Sequence, residues 1–264
     1  MAALRLLKTT TCDAFTNMAI DEAILTARVD DLVSDTLRFY RWKPSAVSIG
    51  RFQKIENEVQ PDNCKKNGVD VVRRITGGGA VYHDQGDEIT YSLVASKESL
   101  KTQDMAAVYK RIYEGIDNAL GILGVTADFD EGNARTCPNL TVNGRKVSGS
   151  AQCHKKGIVL QHGTLLVNVD LDRMFTFLRV PWAKTRMEIV KVAKSRITSI
   201  NAELGREVSM EKMENVLVEG FQKALSIEYT ESELTTYEQK LVGKLFKEKY
   251  ATDKWNYEAS SVLG

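Results

Sequence analysis

A chain of 264 residues, 43% of them hydrophobic, is long enough to bury one large core and carry a small appendage. Its 36 basic and 35 acidic residues leave a net charge of +1, which excludes a protein built to hold nucleic acid through bulk charge. No stretch reaches the length of a membrane span, and residues 1–10 lack the apolar core and cleavage site of a signal peptide, so a cytoplasmic location is expected.

Ala14–Val29 is expected to be helical. Phe15, Met18, Ala19, Ala23 and Ile24 recur at helical spacing, with Asp21 and Glu22 on the other side. Four runs rich in β-formers follow: Thr36–Trp42, Ala46–Ile49, 69–74 and 89–95. Residues 104–123 carry the apolar stripe of a second helix. Tyr109, Ile112, Tyr113 and Ile116 lie on it, and its aromatics are expected in the core. Residues 140–151 read as a hairpin turning at Asn143-Gly144, a pair suited to a type I′ turn. A further strand pair is expected at 157–161 and 164–169, broken near His162-Gly163. Beyond Asp170 the chain turns helical, with periodic segments at 210–226 and 237–250. Strands mixed with helices, without regular alternation, predict an α+β fold with a mixed, largely antiparallel sheet. The expected division is a catalytic region at 1–225 and a small helical C-terminal extension at 226–264.

The four cysteines, Cys12, Cys64, Cys137 and Cys153, are far apart and form no CxxC pair. That argues against a structural zinc site and for free thiols.

The segment RRITGGGAVYHD, residues 73–84, ends an apolar run in two arginines and continues at once into three glycines. Glycines let backbone amides approach a ligand closely. Arginine offers a fork of donors to a carboxylate or phosphate. Together they suit an anionic group that carries an extended apolar part. Neither a P-loop nor a dinucleotide fingerprint fits, because the Gly-Lys-Ser/Thr ending and the GxGxxG spacing are both missing. In the second informative segment, NGRKVSGSAQ at 143–152, Lys146 opens a strand of small residues that leave room for a substrate beside the ammonium. A lysine there can offset charge developing on a carboxyl group. His162 sits inside an apolar run, where a histidine satisfied in the core is the commoner outcome.

Four stretches in order resemble the lipoate–protein ligase and octanoyltransferase family, related in fold to the biotin protein ligases. They are NMAIDE at 17–22, SIGRFQ at 48–53, the arginine–glycine segment at 73–87, and GRKVSGSAQ through LQHGTLL at 144–166. The resemblance covers about residues 4–225. It implies ATP-dependent ligation: lipoate or octanoate and ATP, with Mg²⁺ screening the triphosphate, give an acyl-adenylate. The acyl group then passes to a lysine of lipoyl domains of 2-oxoacid dehydrogenase E2 subunits or of the glycine-cleavage H protein. Carried over by position, Arg74, Gly79, Ala80, Val81, Tyr82 and Lys146 would bind ATP and the acyl-adenylate, with Lys146 catalytic. Arg73, Gly77, Gly78, His83 and His162 would form the acyl pocket.

Two departures accompany the resemblance. The Asn-Asp pair that ligases often place before the lysine hairpin is replaced by Pro138-Asn139, so no metal ligand is assigned. Cys137 lies upstream of the hairpin, as the nucleophile of cysteine-dependent octanoyltransferases does, though closer to it. The alternative is therefore ATP-independent octanoyl transfer from acyl carrier protein through a Cys137 thioester. The run Gly79 to Asp87 is closer to the ligases and makes ligation the leading expectation. Residues 249–256 resemble a tail of bipartite ligases, which implies a separate accessory subunit.

Overall fold

The computed structural model describes residues 4–132, 137–180, 183 and 185–258. The chain opens with strand β1 (Leu4–Cys12), helix α1 (Ala14–Val29) and strands β2 (Thr36–Trp42) and β3 (Ala46–Ile49). Short helices α2 (Ile55–Glu58) and α3 (Pro61–Lys66) lead to β4 (Asp70–Arg73), β5 (Val81–His83) and β6 (Glu88–Ser96). Helix α4 (Met105–Leu123) precedes β7 (Asp128–Asp130), β8 (Asn139–Val142), β9 (Arg145–Lys155) and β10 (Ile158–Leu166). Helices α5 (Leu171–Phe177), α6 (Arg186–Ala193), α7 (Ile200–Leu204) and α8 (Met210–Leu225) follow. Strand β11 (Tyr229–Ser232), helix α9 (Thr236–Leu245) and two π-helical turns, Phe246–Tyr250 and Lys254–Glu258, complete the described chain.

The strands form an eight-stranded sheet in the order β11-β1-β2-β6-β10-β9-β8-β7 and a three-stranded sheet β4-β3-β5. In the large sheet β1 runs parallel to both neighbours and the other pairings are antiparallel, which is the mixed α+β fold expected. Asp13 and Asp104 start the two long N-terminal helices by accepting backbone N–H bonds from Thr16 and Ala107. The hairpin β8–β9 turns at Asn143-Gly144 with φ of 51° and 72°, as a type I′ turn requires. The expected break at His162-Gly163 is absent. One unbroken strand, β10, carries both residues, because each is paired on its two sides with β6 and β9. The break that does occur is earlier, at Lys156-Gly157, where φ of 49° and 80° turns β9 into β10.

Alternation along the central strands sorts the two faces. Leu37 and Phe39 of β2, Tyr91 and Leu93 of β6, and Val159 and Leu165 of β10 bury into one core with α4 and α8. Those two helices meet closely at Gly115 and Gly220, where an added Cβ would lie 2.5 Å from the Phe221 ring and 2.3 Å from the Gly115 carbonyl oxygen. The opposite face carries Arg38, Tyr40 and Trp42, Glu88 and Thr90, and His162 and Thr164, and is covered by α1 and the small sheet.

The segment after residue 225 is built into this body. Strand β11 extends the large sheet beside β1, and α9 packs on α1. Arg5 of β1 reaches Glu238 of α9, a carboxylate buried completely. Trp255 anchors the last turn, its indole N–H donating to the Arg73 carbonyl and its ring standing edge-on to Tyr250. No helix among the described residues is long and apolar enough to cross a membrane.

Candidate active site

The polar face of the large sheet and the edge of the small one enclose a cavity of about 720 Å³. One wall is aromatic, with Tyr40 and Trp42, and Met18 also lines the cavity. Trp42 stacks on His83 at 3.9 Å between ring centroids and donates its indole N–H to Thr90. Small residues of strand β9, Met105 and Tyr109 of α4, and Cys137 also line it. Among the described residues, no aspartate or glutamate lines the cavity, whereas Arg74 and Lys146 do. Such a site favours an apolar chain ending in an anionic or electron-rich head.

Arg74 lies at the end of β4 and is buried. Its guanidinium spends all five N–H groups on the protein. Nε donates to the Thr76 hydroxyl, Nη1 to the Ser48 carbonyl and hydroxyl, and Nη2 to the carbonyls of Gly77 and Gly79. Arg74 therefore presents its charge to the cavity while its donors are held by the protein. Burial lowers its pKa to about 10, so it stays protonated at neutral pH.

Lys146 reaches the cavity through an irregularity in register. Thr141 pairs with Lys146 and Leu140 with Ser148, which leaves Val147 as an extra residue. The bulge moves Lys146 onto the face of Gly149 and Ala151, and all three line the cavity. Its stem crosses the bare Cα of Gly149: a Cβ built there would lie 2.5 Å from Lys146 Nζ. Burial pushes the Lys146 pKa down, the facing Cys137 pushes it up, and Arg74 adds to the lowering. The Cys137 sulfur is 3.6 Å from where a Gly78 Cβ would stand, and the Tyr109 hydroxyl faces it. Cys137, Lys146, Arg74 and Tyr109 thus meet at one end of the cavity.

Of the residues singled out from sequence, Arg74, Gly78, Gly79, Ala80, Val81, His83, Cys137, Lys146 and His162 all line this cavity. Three do not. Arg73 points away from it and holds the C-terminal tail, donating to the carbonyls of Gln53, Trp255 and Asn256. Successive residues of a strand face opposite ways, so Arg73 and Arg74 cannot share one pocket. Alternation along β5 likewise sends Tyr82 to the other side of the small sheet, where it is buried, stacks on Phe177 and bonds Asp84 and Arg173, while Val81 and His83 line the cavity. Gly77 contributes its carbonyl to Arg74 rather than a floor.

Sequence reasoning missed the residues behind the wall. Asp21 was placed on the outer side of its helix, yet it is only 1% exposed. It accepts from Arg38, Tyr40 and His162. Burial alone would raise its pKa, but these partners carry it below the ordinary value, His162 foremost among them. Glu88 likewise holds His83 at 2.7 Å. A signal was available: a buried arginine such as Arg38, inside the apolar run Thr36–Trp42, demands a buried carboxylate. Among the described residues, no group of three His, Cys, Asp or Glu side chains is placed to hold a metal ion.

Residues 13–222 match the family described as lipoyl protein ligase A/B catalytic domain. The chain is 35% identical over 255 residues to the octanoyltransferase LipM of Clostridioides difficile, covering 91% of this chain and 93% of that one. It is 34% identical to the octanoyltransferase LipM of Bacillus subtilis, with 92% and 93% covered. Among solved structures, a bi-partite lipoate protein ligase from Thermoplasma acidophilum superposes with a TM-score of 0.85 at 34% identity, covering 100% and 99% of the two chains. A lipoate-protein ligase A bound with ATP gives a TM-score of 0.85 at 33% identity, with 98% and 100% covered. The expected resemblance and fold hold. Relatives near in sequence bear the transferase name and neighbours near in structure the ligase name.

Proposed function

From the premise that this chain belongs to the lipoyl protein ligase A/B catalytic family, we propose that it carries an octanoyl group from a thioester donor to a lysine amine of a lipoyl domain, through a thioester on Cys137. The observation that carries this reading is the position of Cys137, which lines the cavity within electrostatic reach of Lys146 and Arg74. The names of relatives that match over nine-tenths of both chains support it, and for that reason it is placed ahead of ligation.

In the first half-reaction the Cys137 thiolate attacks the carbonyl carbon of an octanoyl thioester on acyl carrier protein. The carbon–sulfur bond to the donor breaks, and the donor leaves as a thiolate that takes up a proton from water. In the second, the neutral amine of the acceptor lysine attacks the acyl-Cys137 carbonyl. Sγ leaves as thiolate, an amide forms, and the amine proton is released. Both steps pass through an oxyanion, and the Lys146 ammonium in the cavity wall is placed to offset it. The aromatic wall of Met18, Tyr40 and Trp42 takes the alkyl chain out of water. Acceptors of this chemistry are lipoyl domains of 2-oxoacid dehydrogenase E2 subunits and the glycine-cleavage H protein.

A second reading is ATP-dependent ligation of lipoate or octanoate, favoured by the likeness to a ligase of known structure with ATP. In it Lys146 and Arg74 would offset the acyl carboxylate and the α-phosphate, and Cys137 would be a bystander. Among the described residues no carboxylate lines the cavity, so any Mg²⁺ would be held chiefly by the phosphates. An accessory subunit belongs to this reading. Acyl transfer to purified lipoyl domain, followed by intact mass, separates the two. Product from octanoyl-carrier protein without nucleotide supports the Cys137 route; product only from lipoate with MgATP refutes it.

A further inference from the structure

Two buried chains of hydrogen bonds converge on Arg74 from different parts of the fold. The first starts at Asp21 of α1. Its Oδ2 lies 2.8 Å from His162 Nδ1, His162 Nε2 lies 2.8 Å from the Thr76 hydroxyl, and that hydroxyl accepts from Arg74 Nε at 3.3 Å. The second starts at Glu88 of β6. Its Oε1 lies 2.7 Å from His83 Nδ1, His83 Nε2 lies 2.7 Å from the Ser48 hydroxyl, and that hydroxyl accepts from Arg74 Nη1 at 2.7 Å. The two carboxylates and the four residues between them and Arg74 are all buried. Each carboxylate can only accept, which puts a proton on Nδ1 of its histidine. In a neutral ring Nε2 then accepts from the hydroxyl, whose oxygen is left to accept from Arg74. The two chains share one polarity and one terminus.

A direct Arg–carboxylate pair would cancel the charge at the cavity wall. Two relays instead fix the guanidinium in place while keeping both carboxylates a histidine and a hydroxyl away. What Arg74 does with that fixed position is visible in its other partners, the carbonyls of Gly77 and Gly79. A trans peptide is planar, with N–H opposed to C=O. Drawing those two carbonyls toward Arg74 aims the N–H groups of Gly78 and Ala80 the other way. Both residues line the cavity, and Gly78 lies against the Cys137 sulfur.

We propose that the paired relays Asp21–His162–Thr76 and Glu88–His83–Ser48 are a positioning device. They lock Arg74, and through it they aim the Gly78 and Ala80 amides at the carbonyl oxygen of the acyl group. The role of the amides rests on the acyl-transfer reading; the locking of Arg74 does not. Ser48, His83 and Glu88 have the order of a hydrolase triad, but Ser48 is fully buried and its oxygen is tied to Arg74. It is a positioning residue rather than a nucleophile.

The test is a double-mutant cycle on the full chain. Thr76→Val and Ser48→Ala each remove one hydroxyl, Arg74→Lys removes the fork, and Thr76→Ser is the conservative rescue. Two readouts are taken: kcat and KM for acyl transfer with the donor the wild type uses, and the rate of Cys137 alkylation by iodoacetamide at pH 7, followed by peptide mass. Thermal unfolding identifies variants that fail to fold. The expected result is a loss of about tenfold or more in kcat for Thr76→Val, with KM changed by less than about twofold. Cys137 alkylation slows about threefold, because Arg74 is displaced, and Thr76→Ser restores both. In the Arg74→Lys background neither hydroxyl removal has a further effect. Losses that add in full to that of Arg74→Lys, or hydroxyl variants within about twofold of wild type in both readouts, would overturn the proposal. Slowed alkylation that is non-additive with Arg74→Lys, in a protein that transfers no acyl group from any donor, would keep the relays and remove the transferase reading.

Discussion

Gly149→Ala tests whether the Lys146 ammonium is seated where catalysis needs it. The added Cβ would stand 2.5 Å from Lys146 Nζ, 2.6 Å from its Cε and 3.1 Å from Asn139 Oδ1. Carbon contacts settle at about 3.5–4.0 Å, so the ammonium must retreat by about 1 Å. The lysine stem is flexible and can do so without disturbing the sheet. Gly149 is not among the glycines with positive φ, so alanine suits its backbone and should stabilise the strand by about 0.5–1 kcal/mol. A displacement of about 1 Å in a positioned group can cost about 10²-fold in rate. The expected outcome is a transfer rate down about 10²-fold in a protein at least as stable as wild type, measured by single-turnover acyl transfer and thermal melts. Gly121→Ala is the control, since a Cβ there meets nothing within 4 Å. A Gly149→Ala enzyme within about threefold of wild type would refute the assignment of Lys146, because the ammonium could then move at no cost.

Lys146→Ala should abolish transfer with either donor, with the intact mass of the lipoyl domain as readout; near-normal product would remove Lys146 from the mechanism. Cys137→Ser should be close to dead with octanoyl-carrier protein and leave no acyl mass on the enzyme. A mild effect would move the weight to the ATP-dependent reading. Asn256→Ala removes the side-chain oxygen that accepts from the buried Arg73 N–H at 2.9 Å and the amide that donates to the Tyr250 carbonyl at 2.8 Å. A stability loss of about 1–3 kcal/mol is expected in a urea titration, and an unchanged midpoint would show that the tail contributes no stability through Arg73. Burial holds His162 below its ordinary pKa of 6.5 despite its bond to Asp21. The unfolded chain therefore binds more protons just under that value, so stability is full above about pH 6.5 and falls as the pH drops. Urea midpoints measured from pH 7.5 to 5 should show that slope, and His162→Gln should flatten it; equal slopes would count against a neutral His162.

Much of this was determined locally and was legible in the sequence. Helical periodicity and Asp13 define Ala14–Val29, and Asn143-Gly144 defines the turn that presents Lys146. The arginine–glycine segment and the lysine hairpin together identify the family because a backbone that must approach a ligand closely tolerates few alternatives to glycine. The rest depended on neighbours that periodicity cannot name. Arg73 and Arg74 look equivalent in a row, and only the pleat of β4 sends one to the tail and the other to the cavity. Asp21 reads as a solvated helix residue until β2 and β10 bring Arg38 and His162 beneath it. His162 reads as a break or a core histidine until its strand is paired on both sides. Lys146 faces the cavity only because a bulge shifts its parity. Sequence therefore determined which segments carry the chemistry, since propensity and turn geometry are properties of a few adjacent residues. Tertiary structure decided which side chains meet, because facing and charge compensation are set by partners up to 233 residues apart, as Arg5 and Glu238 are.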